Sequence, residues 1–295
     1  MMLTFAIFSG FHAFEALIFP PSVGSHAGNY TVAAAAWQAG EDPWLTGPPA
    51  AIFAGPPPML LPFVPFVGLP YDLTRLIWVV GSLILAVWSL RRLRLPGYWL
   101  VFPPMFQAIM LGHPEVLVLW LLIVGGPLSG LGGLIKPYAG FALLAERRWS
   151  AIVIAGIVLV LTAPLLPWQY FISDLSKITA NLGAQSHGDS VFGSPILMAV
   201  AAIALLSLGL RRGLWLAAPL LWPSAQPIYK VTTVPRLSPV LAIAWSIPIP
   251  GATLIGLVIE ASLTALGRFR RLPPWLDAGI GPLSNWPTPL MRIPA

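Results

Sequence analysis

The sequence contains no cysteine and few charged residues. Its 295 residues include 16 Lys+Arg and 10 Asp+Glu, so only 9% are charged, whereas soluble domains carry about 25%. The lack of cysteine excludes disulfides, zinc–thiolate sites and cysteine nucleophiles. The lack of charge excludes a soluble enzyme, because 57% of the residues are hydrophobic and too few polar groups remain to cover a water-exposed surface. We therefore predict an all-α fold, a polytopic transmembrane helix bundle of roughly eight to ten membrane-embedded helices.

The motifs of soluble enzymes are also missing. There is no P-loop, no G-x-G-x-x-G after a strand, no H-E-x-x-H and no G-x-S-x-G. The net charge of +6 does not indicate nucleic acid as a partner, because the basic residues form short clusters between apolar runs. Membrane lipids are the expected surroundings.

Seven apolar runs predict membrane-embedded helices: 3–19, 73–90, 98–112, 150–167, 194–210, 213–226 and 251–267. The first run lacks a basic segment before it and carries His12 and Glu15, so we interpret it as a retained helix and not a signal peptide. The 33 prolines and 27 glycines indicate short or broken helices. No repeat or linker divides the chain, and we predict one transmembrane domain, 1–295.

Most basic residues fall in four clusters: Arg91, Arg92 and Arg94; Arg147 and Arg148; Arg211 and Arg212; Arg268, Arg270 and Arg271. Short loops rich in Lys and Arg stay on the cytoplasmic side. The acid-bearing connections then face the exterior, with long loops at about 20–71 and 168–193. The first of these includes an Ala-rich stretch, Asn29–Ala39, that is typical of a helix.

The segment between Gly112 and Glu146 must cross from outside to inside, which requires an odd number of crossings. It contains two apolar stretches, 115–124 and 128–145. One crossing followed by a re-entrant hairpin with its tip at Lys136-Pro137 satisfies this requirement, since proline interrupts a helix. The 238–267 region, split by Pro248 and Pro250, raises the same question, and its number of crossings stays open.

Several charged residues are candidates for function. Lys136 lies in an apolar segment and must meet water, a partner or an anion, such as a lipid phosphate, unless it reaches an interface. Glu41 and Asp42 form either a solvated turn or an acid/base or divalent-ion site. Lys230 and Arg236, assigned to the exterior side, bind an anionic substrate or are ordinary loop charges.

Glu15 and Glu260 lie within apolar runs. A carboxylate at the centre of a membrane helix costs about 2.5–3.5 kcal/mol, so it indicates either a function or a carboxyl group that is protonated or hydrogen-bonded to another helix.

Four segments together resemble glycosyltransferase family 87, the polytopic bacterial mannosyltransferase-like membrane enzymes of GT-C type. Asn29–Val32 with Gly40–Trp44 is similar to the family's D-[FY]-x-V-Y…G-x-D-P-Y pattern, and Gly55–Pro62 is similar to its Y-P-P-L…P turn. Gly112–Glu115 with Gly133–Pro137 and Glu146–Trp149 resembles its G-Q-x-N…K-P…R-R-W run, and His187–Gly193 resembles its N-Q-S-L-x-G motif. The resemblance extends over about residues 5–235.

This resemblance implies a multi-pass enzyme of the bacterial inner membrane. The enzyme would move a mannose-like sugar from a polyprenyl-phosphate donor to a lipid or glycan acceptor at the exterior face. We expect no cofactor, and a requirement for a divalent metal stays open. The family's catalytic base is an aspartate, for which this chain has Asn29. An amide cannot accept the proton, and the substitutes available are His26, Glu41 and Asp42.

Lys136, Lys230 and Arg236 would hold the donor phosphate. Two alternatives stay open. One is a non-catalytic accessory subunit or a truncated, inactive relative. The other is a transporter or flippase that uses Glu15, Lys136 and Glu260.

Overall fold

The structure, a computed structural model, describes residues 1–18, 23–45, 53–184, 190–224 and 226–269, and within these ranges it is helical with no β-strand. The α-helices are α1 Met2–Ile18, α2 Ser25–Gln38, α3 Tyr71–Arg92, α4 Pro103–Leu111, α5 Glu115–Val124, α6 Ser129–Ile135, α7 Gly140–Ala145, α8 Trp149–Thr162, α9 Trp168–Ser173, α10 Leu175–Ala184, α11 Pro195–Ser207, α12 Leu210–Leu221, α13 Pro239–Ser246 and α14 Ala252–Phe269. Four 3₁₀ segments lie between them: Pro57–Phe66, Gly97–Val101, Pro137–Ala139 and Pro227–Arg236.

The predicted helices are present, but most are short. Each of the seven apolar runs lies largely within one helix or, for 98–112, within a 3₁₀ turn followed by α4. Among the described residues, only α3 is long and apolar enough by itself to cross a membrane. Helices α4 and α5 meet that test only together, and they are bent by 112° at their junction. The all-α class is therefore confirmed, whereas the number of crossings stays a prediction.

Helices α6 and α7 lie on either side of the predicted hairpin tip at Lys136-Pro137, and α5 precedes them. A Cβ atom on Gly132 would contact Val118 and Leu121, so α6 packs along α5. At the end of α6, Lys136 reaches back to Glu115 at the first residue of α5. The chain then reverses, since Arg148 beyond α7 donates to the carbonyl oxygen of Leu122 at 2.6 Å. The chain therefore turns back near Lys136-Pro137, whereas a re-entrant hairpin in a membrane stays a prediction.

Helix α3 separates two ends of the molecule by about 33 Å, given 22 residues at 1.5 Å each. Its first turn lies beside the start of α2, where Arg75 Nε donates to the carbonyl oxygen of Val23 at 2.5 Å. Its last turn carries Arg91 and Arg92. We call the first the histidine end, because His26 and His113 lie there, and the other the arginine end.

The other described arginine clusters also lie at the arginine end. Trp88, one turn before Arg91, packs on Trp120 with ring centroids 6.1 Å apart, and Trp120 precedes the Leu122 carbonyl that Arg148 contacts. Arg211 pairs with Glu146, next to Arg147. Basic residues from separate parts of the sequence thus gather at one end of the fold.

Large apolar side chains cover the outer faces of several helices. Val160 of α8 and Ile196 of α11 are 72% and 77% exposed, and similarly exposed residues recur on α3 and α14, such as Ile84 and Ile255. Contiguous exposed apolar surface of this kind marks a face that contacts lipid or another protein.

Candidate functional site

A chain of buried polar side chains runs through the histidine end. His26 Nδ1 lies 3.3 Å from the hydroxyl of Tyr30, and that hydroxyl lies 2.9 Å from His113 Nε2. His113 Nδ1 is in turn paired with Glu115 Oε2. Four side chains from α2 and from the junction of α4 with α5 therefore form one continuous sequence of contacts.

Glu115 is the centre of this network and has no solvent exposure. Besides His113, its carboxylate accepts a hydrogen bond from the hydroxyl of Tyr138. Lys136 Nζ lies 3.3 Å from Glu115 Oε1 and 5.4 Å from the ring centroid of Tyr229. The buried ammonium is thus balanced by a buried carboxylate, which explains how an apolar segment accommodates it.

Breaks between helices place these residues. Gly112 ends α4 in the left-handed conformation (φ 67°), and Pro114 precedes the first residue of α5, so His113 and Glu115 lie at a sharp bend. Lys136 is extended (φ −134°, ψ 101°) between α6 and the 3₁₀ turn that begins at Pro137. The polar side chains therefore project from positions where the helices end.

His26 is the least enclosed member of the network, being half-buried. Burial, reinforced by the positive charge of Lys136, lowers the pKa of His26 to about 4. The imidazole is therefore neutral at pH 7. Asn29 lies one helical turn further along α2, half-buried and next to Tyr30.

Glu41 and Asp42 do not join this network. They follow the far end of α2, whose 14 residues span about 21 Å. Glu41 is exposed, whereas Asp42 accepts a hydrogen bond from the backbone of Trp44 at 2.8 Å. Burial, followed by its hydrogen bond with Asp174, raises the pKa of Asp42. The three candidate bases therefore belong to two separate places.

The three predicted phosphate ligands have different partners in the structure. Lys136 lies in the network, whereas Lys230 is 1% exposed and donates to the carbonyl oxygen of Trp245 at 3.2 Å. Arg236 donates to Glu146 Oε1 at 2.7 Å. Arg236 therefore lies among the basic residues of the arginine end, and the side of the membrane that this end faces stays a prediction.

Glu260 and Glu15 are the two carboxylates that the sequence predicts within membrane helices. Glu260 accepts from Arg212 at 2.7 Å, so it has a cation as its partner. The side chain of Glu15, and His187 with the start of its motif, lie outside the described residues. Within the part of the chain that the structure describes, no three His, Asp or Glu side chains converge as a metal site.

Sequence reasoning did not identify Glu115 as the partner of Lys136, or His113 and Tyr138 as partners of Glu115. The nearest signal was the segment Gly112–Glu115, which has His and Glu where the family pattern G-Q-x-N has amides. An ionisable residue at positions 113 and 115 is a signal that the charge of a buried lysine has a partner. The sequence does not show that Glu115 and Lys136 meet, because their contact depends on the turn that brings Lys136 back to the start of α5.

Comparison with known proteins gives one match. The family model of glycosyltransferase family 87 matches residues 53–246, which is well over half of the chain and includes Glu115, Lys136 and Tyr229 but not α2. No curated protein and no solved structure matches the chain. The chain belongs to glycosyltransferase family 87, a family of membrane glycosyltransferases.

Proposed function

We propose that this protein moves a sugar from a polyprenyl-phosphate donor to a hydroxyl group of a lipid or glycan acceptor, with His26 as the general base and Lys136 facing the donor phosphate. Membership of family 87 supports sugar transfer. The observation that carries the residue assignment is the uninterrupted contact chain from His26 through Tyr30 and His113 to Glu115, with Lys136 beside it.

The buried carboxylate sets the direction of this chain. If His113 holds its proton on Nδ1, facing Glu115, its Nε2 is an acceptor for the Tyr30 hydroxyl. The oxygen of Tyr30 then accepts from Nδ1–H of His26. This leaves Nε2 of His26 unprotonated, which is the state that a general base requires.

The transfer itself forms one bond and breaks another. The acceptor oxygen attacks the anomeric carbon of the sugar as the bond from that carbon to the phosphate oxygen breaks, and the electron pair leaves with the polyprenyl phosphate. His26 takes the proton of the acceptor hydroxyl. Lys136 has three N–H donors, so it can pair with Glu115 and still stabilise the negative charge on the leaving phosphate.

The test is sugar transfer by the purified protein in nanodiscs, with polyprenyl-phosphate mannose as donor and a glycolipid acceptor. We expect His26→Gln to lower kcat by about 10²–10⁴, the usual contribution of a general base. Tyr30→Phe removes the hydroxyl but keeps the ring, and it should lower kcat less.

The matched control is a double variant, Glu41→Ala with Asp42→Ala, which changes the carboxylates at the far end of α2. It should retain wild-type activity. Activity lost in this control and retained in His26→Gln would assign the base to the carboxylates and refute the role of His26.

We further propose that lipid covers the exposed apolar faces of α3, α8, α11 and α14, and that the histidine end faces the exterior. Since the chain has no cysteine, single cysteines report position directly. In intact cells, an impermeant maleimide should label Asp72→Cys, in the first turn of α3, but not Arg91→Cys, in its last turn. The reverse pattern would invert the orientation.

A non-catalytic role is the second candidate function. It is favoured by Asn29, an amide where the family resemblance expects the catalytic aspartate. In that case wild-type protein would show no transfer with any polyprenyl-phosphate donor, and it would co-purify with a larger complex.

A further inference from the structure

A cavity of about 420 Å³ opens at the arginine end, between the end of α7 and the start of α12. Its wall combines three charged residues with three leucines: Glu146, Arg147, Arg211, Leu144, Leu210 and Leu214. Neither the proposed sugar transfer nor the network around Glu115 uses this cavity.

The carboxylate of Glu146 is already occupied by protein donors. Oε2 accepts from Arg211 at 2.5 Å, and Oε1 accepts from Arg236 and from the indole of Trp215, each at 2.7 Å. Although burial alone would raise the pKa of Glu146, these hydrogen bonds outweigh it and hold the pKa below its usual value. Glu146 is therefore a single fixed negative charge.

The basic residues outnumber this charge. Besides Arg211 and Arg236, Arg147 lines the cavity, and Arg148 lies close enough for the charges of Arg211 and Arg236 to lower its pKa, after burial as the larger cause. Arg211 and Arg236 pair with Glu146, and Arg147 and Arg148 place two further positive charges close by. Like charges gathered at a partly enclosed site are stabilised by an anion.

Arg147 also has an unusual backbone. Its φ is 52°, in the left-handed region, and the only other described residue with positive φ that is not glycine is Arg94, at 55°. Both follow a helix in the same capping motif. Arg148 N–H bonds Leu143 across the end of α7, as Leu95 N–H bonds Leu90 across the end of α3. Glycine avoids about 1 kcal/mol of strain at such a position, and at Arg147 the strained residue places a positive charge on the cavity wall.

We propose that this cavity binds the phosphate group of an anionic membrane phospholipid, with Arg147 and Arg211 contacting the phosphate and the leucines contacting the start of the acyl chains. The leucines argue for a lipid over free phosphate, because Leu144 and Leu210 are 45% and 65% exposed at the cavity. Trp149, 60% exposed and two residues from Arg147, suits the headgroup level of a bilayer. Basic pockets at the cytoplasmic side of membrane helices bind such headgroups.

The test compares thermal unfolding of the detergent-purified protein with added phosphatidylglycerol, phosphatidylcholine or inorganic phosphate, and counts bound lipid by native mass spectrometry. The wild type should gain stability with phosphatidylglycerol only. Arg147→Gly relieves the backbone strain, so without lipid it should unfold at the same or a higher temperature. Its affinity for phosphatidylglycerol should fall about tenfold, because one charge-assisted contact is lost.

Arg94→Gly is the matched control, since it changes the same residue type in the same capping motif away from the cavity. It should keep the wild-type response to phosphatidylglycerol. Arg147→Asn, which also tolerates the left-handed region, should repeat the loss seen in Arg147→Gly.

Three results would overturn the proposal. An equal loss in Arg94→Gly would mean that the lipid responds to general positive charge. An unchanged response in Arg147→Gly and Arg147→Asn would mean that the cavity is not the site. A full response to inorganic phosphate would identify a free anion as the ligand and remove the lipid. None of these results depends on sugar transfer, so the proposed function would stand or fall separately.

Discussion

Glu115→Gln changes the network at its centre while preserving the shape of the side chain. The carboxylate has no solvent exposure, and its partner Lys136 is 7% exposed. The variant leaves the Lys136 ammonium buried without its counter-charge, and such a loss costs about 3–5 kcal/mol. Lys136→Met leaves the carboxylate unbalanced instead and should cost a similar amount.

The double variant separates this explanation from simple loss of packing. With both charges removed, no unbalanced charge remains, so Glu115→Gln with Lys136→Met should unfold close to the wild type or up to about 2 kcal/mol below it. The sum of the single changes would be several kcal/mol larger. The difference is the coupling energy of the pair, and we expect at least about 2 kcal/mol.

The measurement is unfolding of the purified protein in mixed micelles, titrated with SDS and followed by the fluorescence of its 13 tryptophans. Glu260→Gln serves as a control, because its partner Arg212 is 24% exposed and water can hydrate the cation that remains. That variant should lose about 1 kcal/mol or less. Additive losses in the double variant would show that Glu115 and Lys136 do not stabilise each other, and the network would have to be abandoned.

Two further changes probe packing and pH. A Cβ atom at Gly130 would overlap the backbone carbonyl of Ala151, so Gly130→Ala should separate α6 from α8 and cost about 1–3 kcal/mol of stability. The control is Gly156→Ala, where a Cβ atom would have nothing within 4 Å. It should be neutral or slightly stabilising in the same unfolding titration. The folded state raises the pKa of Asp42 above its ordinary 3.8, so stability falls as pH rises from that value through the folded pKa. Asp42→Asn should therefore raise the unfolding temperature at pH 7 but not below pH 3.8. An equal gain at both pH values would contradict the raised pKa of Asp42.

The helices could be predicted from the sequence, because apolar runs report burial or lipid contact directly. The runs at 73–90 and 150–167 correspond closely to α3 and α8. The turn at Lys136-Pro137 was also predictable, since proline interrupts a helix and the basic clusters required a reversal. The length of each helix was harder to predict, because the run at 98–112 is apolar throughout, although Pro103-Pro104 divides it between the 3₁₀ turn at Gly97–Val101 and α4.

The site was predicted only in part. Lys136 and His26 were candidates because a lysine in an apolar segment and a histidine near a missing aspartate are conspicuous in one sequence. The pairing of Glu115 with Lys136 was not predictable, since the two residues are 21 positions apart in sequence and meet through a fold that no local pattern describes. The pairing of Arg236 with Glu146 was not predictable for the same reason, because 90 positions separate them.

The abundance of proline and glycine is connected to the chemistry of the network. A polar side chain on the lipid-facing side of an uninterrupted helix would be costly, and helix interruptions are tolerated at membrane depth only where they are buried in protein or line a cavity. In this chain the start of α2 at Gly24, the bend from Gly112 to Pro114, and the break before Pro137 lie around one place. The side chains at those breaks contact one another. An apolar chain can therefore assemble a buried polar network by ending its helices there, and this accounts for short helices next to a lysine that is paired with a carboxylate.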